Sequence, residues 1–180
     1  MRFIETDLKG AFVVELERLA DERGFFARSF CQREFEEHGL NPHMAQCNVS
    51  FNKRKHTLRG MHFQAAPYEE AKLVRCTKGS IYDVIIDLRP GSVTFARYFG
   101  ILLEEDRHTM LYMPEGFAHG FLTMEDNTEI FYQMSEFYEP SSARGVRWND
   151  PAFGIEWPAH ISTISERDRS YPDFAAGRVR

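Results

Sequence analysis

Lys72-Leu73-Val74-Arg75-Cys76-Thr77-Lys78-Gly79-Ser80-Ile81-Tyr82-Asp83-Val84-Ile85-Ile86-Asp87-Leu88 is two apolar runs rich in β-branched residues, split by Lys78-Gly79. The runs predict two strands, and Lys78-Gly79 predicts a hairpin between them. The pattern continues on both sides. Downstream, Arg89-Pro90-Gly91-Ser92 reads as a turn and 95–103 as a strand. Glu104 to Arg107 reads as an exposed turn, 109–113 as a strand ending at Pro114-Glu115-Gly116, and 117–124 and 129–134 as two more around Glu125-Asp126-Asn127. Upstream, residues 3–14 read as two short strands about Lys9-Gly10, Asp21 to Gly24 as a polar turn before a strand at Phe25-Phe26, and 44–52 as extended. Short strands at this spacing, with turn chemistry between them, predict an all-β antiparallel sandwich or barrel. Helix is expected only over Gln32 to His38, anchored by Phe35 and stopped by Gly39, and as one turn over Ser165 to Asp168. From Tyr138 the chain is rich in loops, with Trp148 and Trp157 expected as packing anchors.

The chain has 180 residues, 43% hydrophobic and 27% charged, which fits a single soluble domain over 1–180. Sixteen phenylalanines favour a β-rich core or an aromatic-lined cavity over a helical bundle. No apolar run approaches the ~20 residues of a membrane span. Arg2, Glu5, Asp7 and Lys9 leave no hydrophobic signal core at the start, so a cytoplasmic location is expected. Net charge is −5 with no basic block, which argues against nucleic acid as a partner. Cys31, Cys47 and Cys76 are too widely spaced for a zinc motif and are expected as reduced, buried structural thiols.

Thr57-Leu58-Arg59-Gly60-Met61-His62-Phe63-Gln64 holds the first chemical candidates. Strict alternation would put Arg59 and Met61 on one face and His62 and Gln64 on the other, unless a bulge re-aims one of them. A lone strand histidine is most often a packing or hydrogen-bonding residue, so His62 needs support from elsewhere. Pro114-Glu115-Gly116-Phe117-Ala118-His119-Gly120 is similar to the second motif of the cupin superfamily, small jelly-roll barrels. A metal-binding cupin carries two histidines one residue apart in its first motif. Here Gln64 stands where the second imidazole belongs, so no metal and no cofactor are expected.

Taken together, Asp21 to Phe26, Gln46 to Ser50, Leu58 to Gln64, Lys72 to Cys76, Pro114 to Phe121, Tyr132, Tyr138 to Ser142, Trp148-Asn149-Asp150 and Gly154 to Pro158 resemble the dTDP-4-dehydrorhamnose 3,5-epimerase family over nearly the whole chain. The resemblance implies a cupin-type jelly-roll β-barrel with a few short peripheral helices. It also implies cofactor-free epimerisation at C3 and/or C5 of a nucleotide-linked 4-dehydro-6-deoxyhexose. Inverting a carbon beside a ketone takes a base near neutral pKa, an acid across the ring and positive charge at the enolate oxygen. By resemblance His62 is the base, Asp168 its partner, Tyr132 the acid and Lys72 the cation near the enolate. Arg23, Gln46, Asn48, Arg59 and His119 match positions that contact the diphosphate or the sugar, and Tyr138 matches an aromatic that stacks on the base. A homodimer is implied, with the partner subunit completing the nucleotide site.

Three positions depart from the family pattern. Arg28 and Ala143 stand where glutamates are usual, and Arg167 replaces the lysine before Asp168. All three fall among implied ligand-binding positions rather than the catalytic ones. The same chemistry on another nucleotide carrier such as CDP, inversion of a single carbon, and a silent nucleotide-sugar-binding cupin are the alternatives.

Overall fold

The computed structural model describes residues 1–175, so the last five residues of the expected domain lie outside the description. Its elements in order are β1 (Arg2–Glu5), β2 (Phe12–Glu15), β3 (Leu19–Asp21), β4 (Gly24–Phe26), α1 (Gln32–Glu37), β5 (Gln46–Asn52), β6 (Thr57–Gln64), β7 (Lys72–Lys78), β8 (Ser80–Asp87), β9 (Tyr98–Glu104), β10 (Met110–Met113), β11 (Phe117–Thr123), β12 (Thr128–Met134), β13 (Ala143–Gly145), β14 (Thr163–Ile164) and α2 (Glu166–Arg169).

Two sheets face one another. One has the order β1-β2-β10-β7-β12-β5; the other runs β13-β6-β11-β8-β9, with β14 added in parallel to β6. The chain crosses between them at almost every connection from β5 to β13, which is the jelly-roll pattern the resemblance implied. β3 and β4 form a separate two-stranded hairpin.

Two strand expectations need correction. Lys78-Gly79 is not a hairpin. β7 pairs with β10 and β12, whereas β8 pairs with β11 and β9. Gly79, at φ +74, is where the chain leaves one sheet for the other. It is clamped there by the next connection: its N–H donates to Glu105 Oε2 (2.6 Å), and Glu105 N–H donates to its carbonyl (3.0 Å). A turn-prone dipeptide reports a change of direction and does not say which sheet the chain enters. Similarly, β9 starts at Tyr98 rather than Phe95. Residues 89–97 are gathered by the buried Asp87 carboxylate, which accepts from Arg89, Ser92 Oγ (2.6 Å) and Thr94 Oγ1 (2.6 Å). Burial would raise the Asp87 carboxyl, but these donors win and hold it at about 2.

Alternation along the strands sorts the core into three layers. Val74, Cys76, Ile81, Ile85, Leu111, Phe117, Phe121 and Ile130 fill the space between the sheets. Met61, Phe63, Val84, Ile86 and Ala118 face outward from the second sheet, beneath Val146, Phe153 and the half-buried Trp157. Phe12, Val14, Leu73 and Tyr112 face outward from the first, and α1 covers them with the fully buried Phe35. Cys76 is buried, and burial pushes its thiol up to about 12. Cys47 is exposed and Cys31 partly so, which corrects the expectation of three buried thiols.

Candidate active site

The space between the sheets is apolar at one end and opens at the other into a cavity of about 440 Å³. The same strands build both ends. On β7, Val74 and Cys76 pack into the core, and Lys72, on the same face, reaches the cavity. On β12, Ile130 is core and Tyr132 and Met134 line the cavity, while β5 lines it with Gln46, Asn48 and Ser50.

β6 reaches the cavity by breaking alternation. Across the β6–β11 ladder His62 is opposite His119 and Arg59 is opposite Phe121, so Gly60 and Met61 together face the single residue Gly120. This is a β-bulge. It turns Met61 outward into the apolar layer and leaves Arg59, His62 and Gln64 all lining the cavity. This is the bulge that the sequence reading allowed for, and it re-aims Arg59 onto the face of His62 and Gln64. The backbones meet too closely for side chains: a Cβ on Gly60, at φ +142, would lie 2.5 Å from Gly120 Cα, and one on Gly120 would lie 2.7 Å from the Arg59 carbonyl oxygen.

His62 Nε2 contacts Asp168 Oδ1 at 2.7 Å. Asp168 is carried by α2, where Ser165 caps the turn by accepting from Asp168 N–H, and Asp168 Oδ2 accepts from Gly60 N–H (3.3 Å). Burial would raise the Asp168 carboxyl, but the hydrogen bond and charge of His62, with the Gly60 and Ser165 bonds, hold it below the usual carboxylate range. With Nε2–H given to the carboxylate, the basic lone pair of a neutral His62 lies on Nδ1. Tyr132 faces the cavity from the opposite sheet. Burial raises its hydroxyl, Arg59 pulls it down and Glu70 adds to the rise; the net shift is upward, so the phenol keeps its proton at neutral pH.

Lys72 is buried against Glu70 (Nζ to Oε1, 2.7 Å), and Glu70 also accepts from Gln64 N–H (3.1 Å). His119 Nε2 contacts Asp83 Oδ1 at 2.7 Å inside the second sheet. Arg59 donates from Nε to Asn52 Oδ1 at 2.7 Å. Tyr138 and Arg167 stand at the cavity edge with Ala143 and Arg144.

The structure thus brings together His62, Asp168, Tyr132, Lys72, Gln46, Asn48, Arg59, His119, Tyr138 and Arg167. It does not bring Arg23 or Arg28 to this cavity. Arg23 is exposed on the β3–β4 hairpin and paired with Asp21, and Arg28 is paired with Glu34 (2.8 Å). Gln64 is no ligand. Its amide donates to the carbonyls of Tyr68 (2.8 Å) and Phe137 (3.1 Å) and accepts from Glu139 N–H (2.6 Å), so it ties two loops to β6. Among the described residues no three His, Cys, Asp or Glu side chains are grouped to hold a metal ion. Sequence reading missed Asp83. Its signal was a carboxylate in the middle of an apolar strand, which when buried needs a partner.

The family model described as dTDP-4-dehydrorhamnose 3,5-epimerase matches residues 5–176. The chain belongs to this family. It is 41% identical over 173 residues to the dTDP-4-dehydrorhamnose 3,5-epimerase of Methanothermobacter thermautotrophicus, covering 94% of this chain and 92% of the relative. The crystal structure of the Bacillus anthracis dTDP-4-dehydrorhamnose 3,5-epimerase with TDP and pyrophosphate bound superposes with a TM-score of 0.91 at 39% identity, covering 96% of this chain and 99% of that one. A 3'-monoepimerase from Streptomyces bikiniensis in complex with dTDP-quinovose superposes with a TM-score of 0.86 at 32% identity, covering 94% and 86%.

Proposed function

We propose that this epimerase family member inverts C3 and C5 of a dTDP-linked 4-dehydro-6-deoxyhexose, the conversion of dTDP-4-dehydro-6-deoxyglucose to dTDP-4-dehydrorhamnose. The observation that carries the reading is one cavity holding a carboxylate-backed imidazole on one sheet and a protonated phenol on the other. His62 removes the proton from the carbon beside the ketone, and its new charge is balanced by Asp168. The electron pair moves into the carbonyl, and Lys72, with His119 nearby, faces the enolate oxygen. Tyr132 then delivers a proton to the opposite face of that carbon. Reprotonation from the other side is what makes the outcome an inversion rather than an exchange.

Arg59, Gln46 and Asn48 bind the sugar diphosphate, where a planar guanidinium suits paired phosphate oxygens. Tyr138 stacks on the nucleobase. Arg23 and Arg28 lie outside this cavity, in and just after the β3–β4 hairpin, whose Leu19 and Phe26 are about 70% exposed. They serve the reading as parts of a homodimer, in which the hairpin of a second copy completes the nucleotide site. Incubation with dTDP-4-dehydro-6-deoxyglucose in deuterated water should place deuterium at C5 and C3. No exchange with that substrate would defeat the reading.

The Streptomyces bikiniensis relative favours a second reading, inversion at C3 alone, because the same base and enolate serve one carbon or two. Product stereochemistry by NMR separates them. Ala143 lines the cavity where a family glutamate is usual, so competition among dTDP, CDP, UDP and GDP is the test of the nucleotide. The B. anthracis relative with TDP bound supports dTDP.

A further inference from the structure

Tyr171 has no part in the chemistry proposed above, yet it lies beside the proposed base. Its ring is edge-on to His62, with centroids 6.3 Å apart and planes at 69°. It occupies space that only a glycine leaves open. Gly145 on β13 is the Cα partner of His62 on β6, and a Cβ there would lie 2.3 Å from the Tyr171 ring. Gly145 is not in the left-handed region, so its backbone would accept alanine, and the atoms nearest an added Cβ all belong to Tyr171. The Tyr171 hydroxyl accepts from Arg167 Nε at 3.0 Å, one helical turn back. Hydrogen bonding to Tyr138 and then the Tyr171 phenol raises the Arg167 guanidinium further above its ordinary value. Burial in turn raises the Tyr171 hydroxyl, with Arg167 opposing it.

The segment 165–171 therefore delivers three groups within seven residues: Asp168 behind His62, Arg167 at the cavity edge, and Tyr171 on the flank of the imidazole. We propose that Tyr171 is a positioning residue, seated over Gly145, that shields the His62–Asp168 hydrogen bond from water and holds Arg167 for an anionic substrate. The proposal rests on the reading of this cavity as an epimerase site. Its ring and its hydroxyl have separate jobs, so they fail separately. Tyr171→Phe keeps the ring and removes its hold on Arg167, and KM should rise several-fold with kcat little changed. Tyr171→Ala opens the flank of His62, and kcat should fall about tenfold or more. Gly145→Ala should mimic Tyr171→Ala by displacing the ring. The double variant Gly145→Ala/Tyr171→Ala should be no worse than Tyr171→Ala, because the ring atoms nearest the added methyl are then gone.

The deciding experiment needs no substrate: the downfield proton NMR resonance of the His62 Nε2–H bonded to Asp168, followed in the whole protein. It should persist in the wild type and Tyr171→Phe, and be lost to solvent exchange in Tyr171→Ala and Gly145→Ala. If Gly145→Ala does not fold, recovery of the fold in the double variant supports the same coupling. A resonance that survives Tyr171→Ala overturns the proposal. So does a double variant whose defects are the sum of the two single ones. A wild type that keeps the resonance but exchanges no substrate proton would sink the epimerase reading alone.

Discussion

Two histidine–aspartate pairs stand side by side in this molecule, on cross-strand neighbours of one ladder, each closed by a 2.7 Å contact from Nε2. Their surroundings differ. The His62 side chain is 42% exposed and its carboxylate 5%; for His119 and Asp83 the values are 10% and 0%. Asp168 uses both oxygens, through His62 and Gly60 N–H, whereas Asp83 Oδ2 is buried without a partner among the described residues. The first pair joins β6 to a helical turn 106 residues away; the second joins adjacent strands of one sheet. The contrast teaches that a short imidazole–carboxylate contact does not define a catalytic pair. A carboxylate satisfied on both oxygens holds its charge, and an imidazole open to the cavity can reach a substrate proton. The second pair is buried in the wall of the cavity, with its Nε2 turned to Asp83.

Exchanging each carboxylate for its amide should break the symmetry most. Asp168→Asn should slow epimerisation by about 10²–10⁴, because an amide does not balance the imidazolium that forms. Asp83→Asn should cost less, about tenfold, and leave stability within ~1 kcal/mol, because losing a buried charge offsets leaving the new amide N–H group without a partner. Steady-state rates and urea unfolding of both variants test the pair of statements, and equal losses in rate would erase the distinction.

Tyr132→Phe tests the far side of the cavity. Net inversion should fall by about 10²–10³ while proton removal by His62 continues, so deuterium washes into recovered substrate. Acid stability sharpens the comparison further. In the folded protein the Asp168 carboxyl titrates below its ordinary value. Its contribution to stability is therefore complete above that value and is lost as pH falls through the lower folded one. Acid unfolding of Asp168→Asn should lose part of its pH dependence in that window. The smallest effect belongs to the hairpin side. Arg28→Glu, which sets like charge against Glu34, should leave kcat unchanged and move only nucleotide affinity, measured by titration calorimetry.

Much of this was legible in the sequence because it rests on period-2 alternation and turn residues. Most strands of both sheets, the two short helices and the Phe35 anchor were expected near where the structure has them, but β13 and β14 fall in the stretch after Tyr138 that reads as loop. What escaped depends on contacts between distant segments. Gly79 reads the same whether the chain folds back on its own strand or crosses to the facing sheet. The bulge at Gly60 and Met61 depends on the close approach of Gly120, which the local pattern does not encode. Of the site, the family motifs carried His62, Asp168, Tyr132 and Lys72 into one cavity, but they could not separate Arg23 and Arg28, which lie elsewhere on the chain. Asp83 and Tyr171 carry no motif, and only the fold places them beside His119 and His62.

The most direct test of the account is solvent deuterium exchange into dTDP-4-dehydro-6-deoxyglucose, followed by proton NMR for the wild type, His62→Asn and His119→Asn. The wild type should exchange at C5 and C3, His62→Asn at neither carbon, and His119→Asn at both, more slowly. Exchange by His62→Asn at the wild-type rate would contradict the assignment of the open pair as the one that moves the proton.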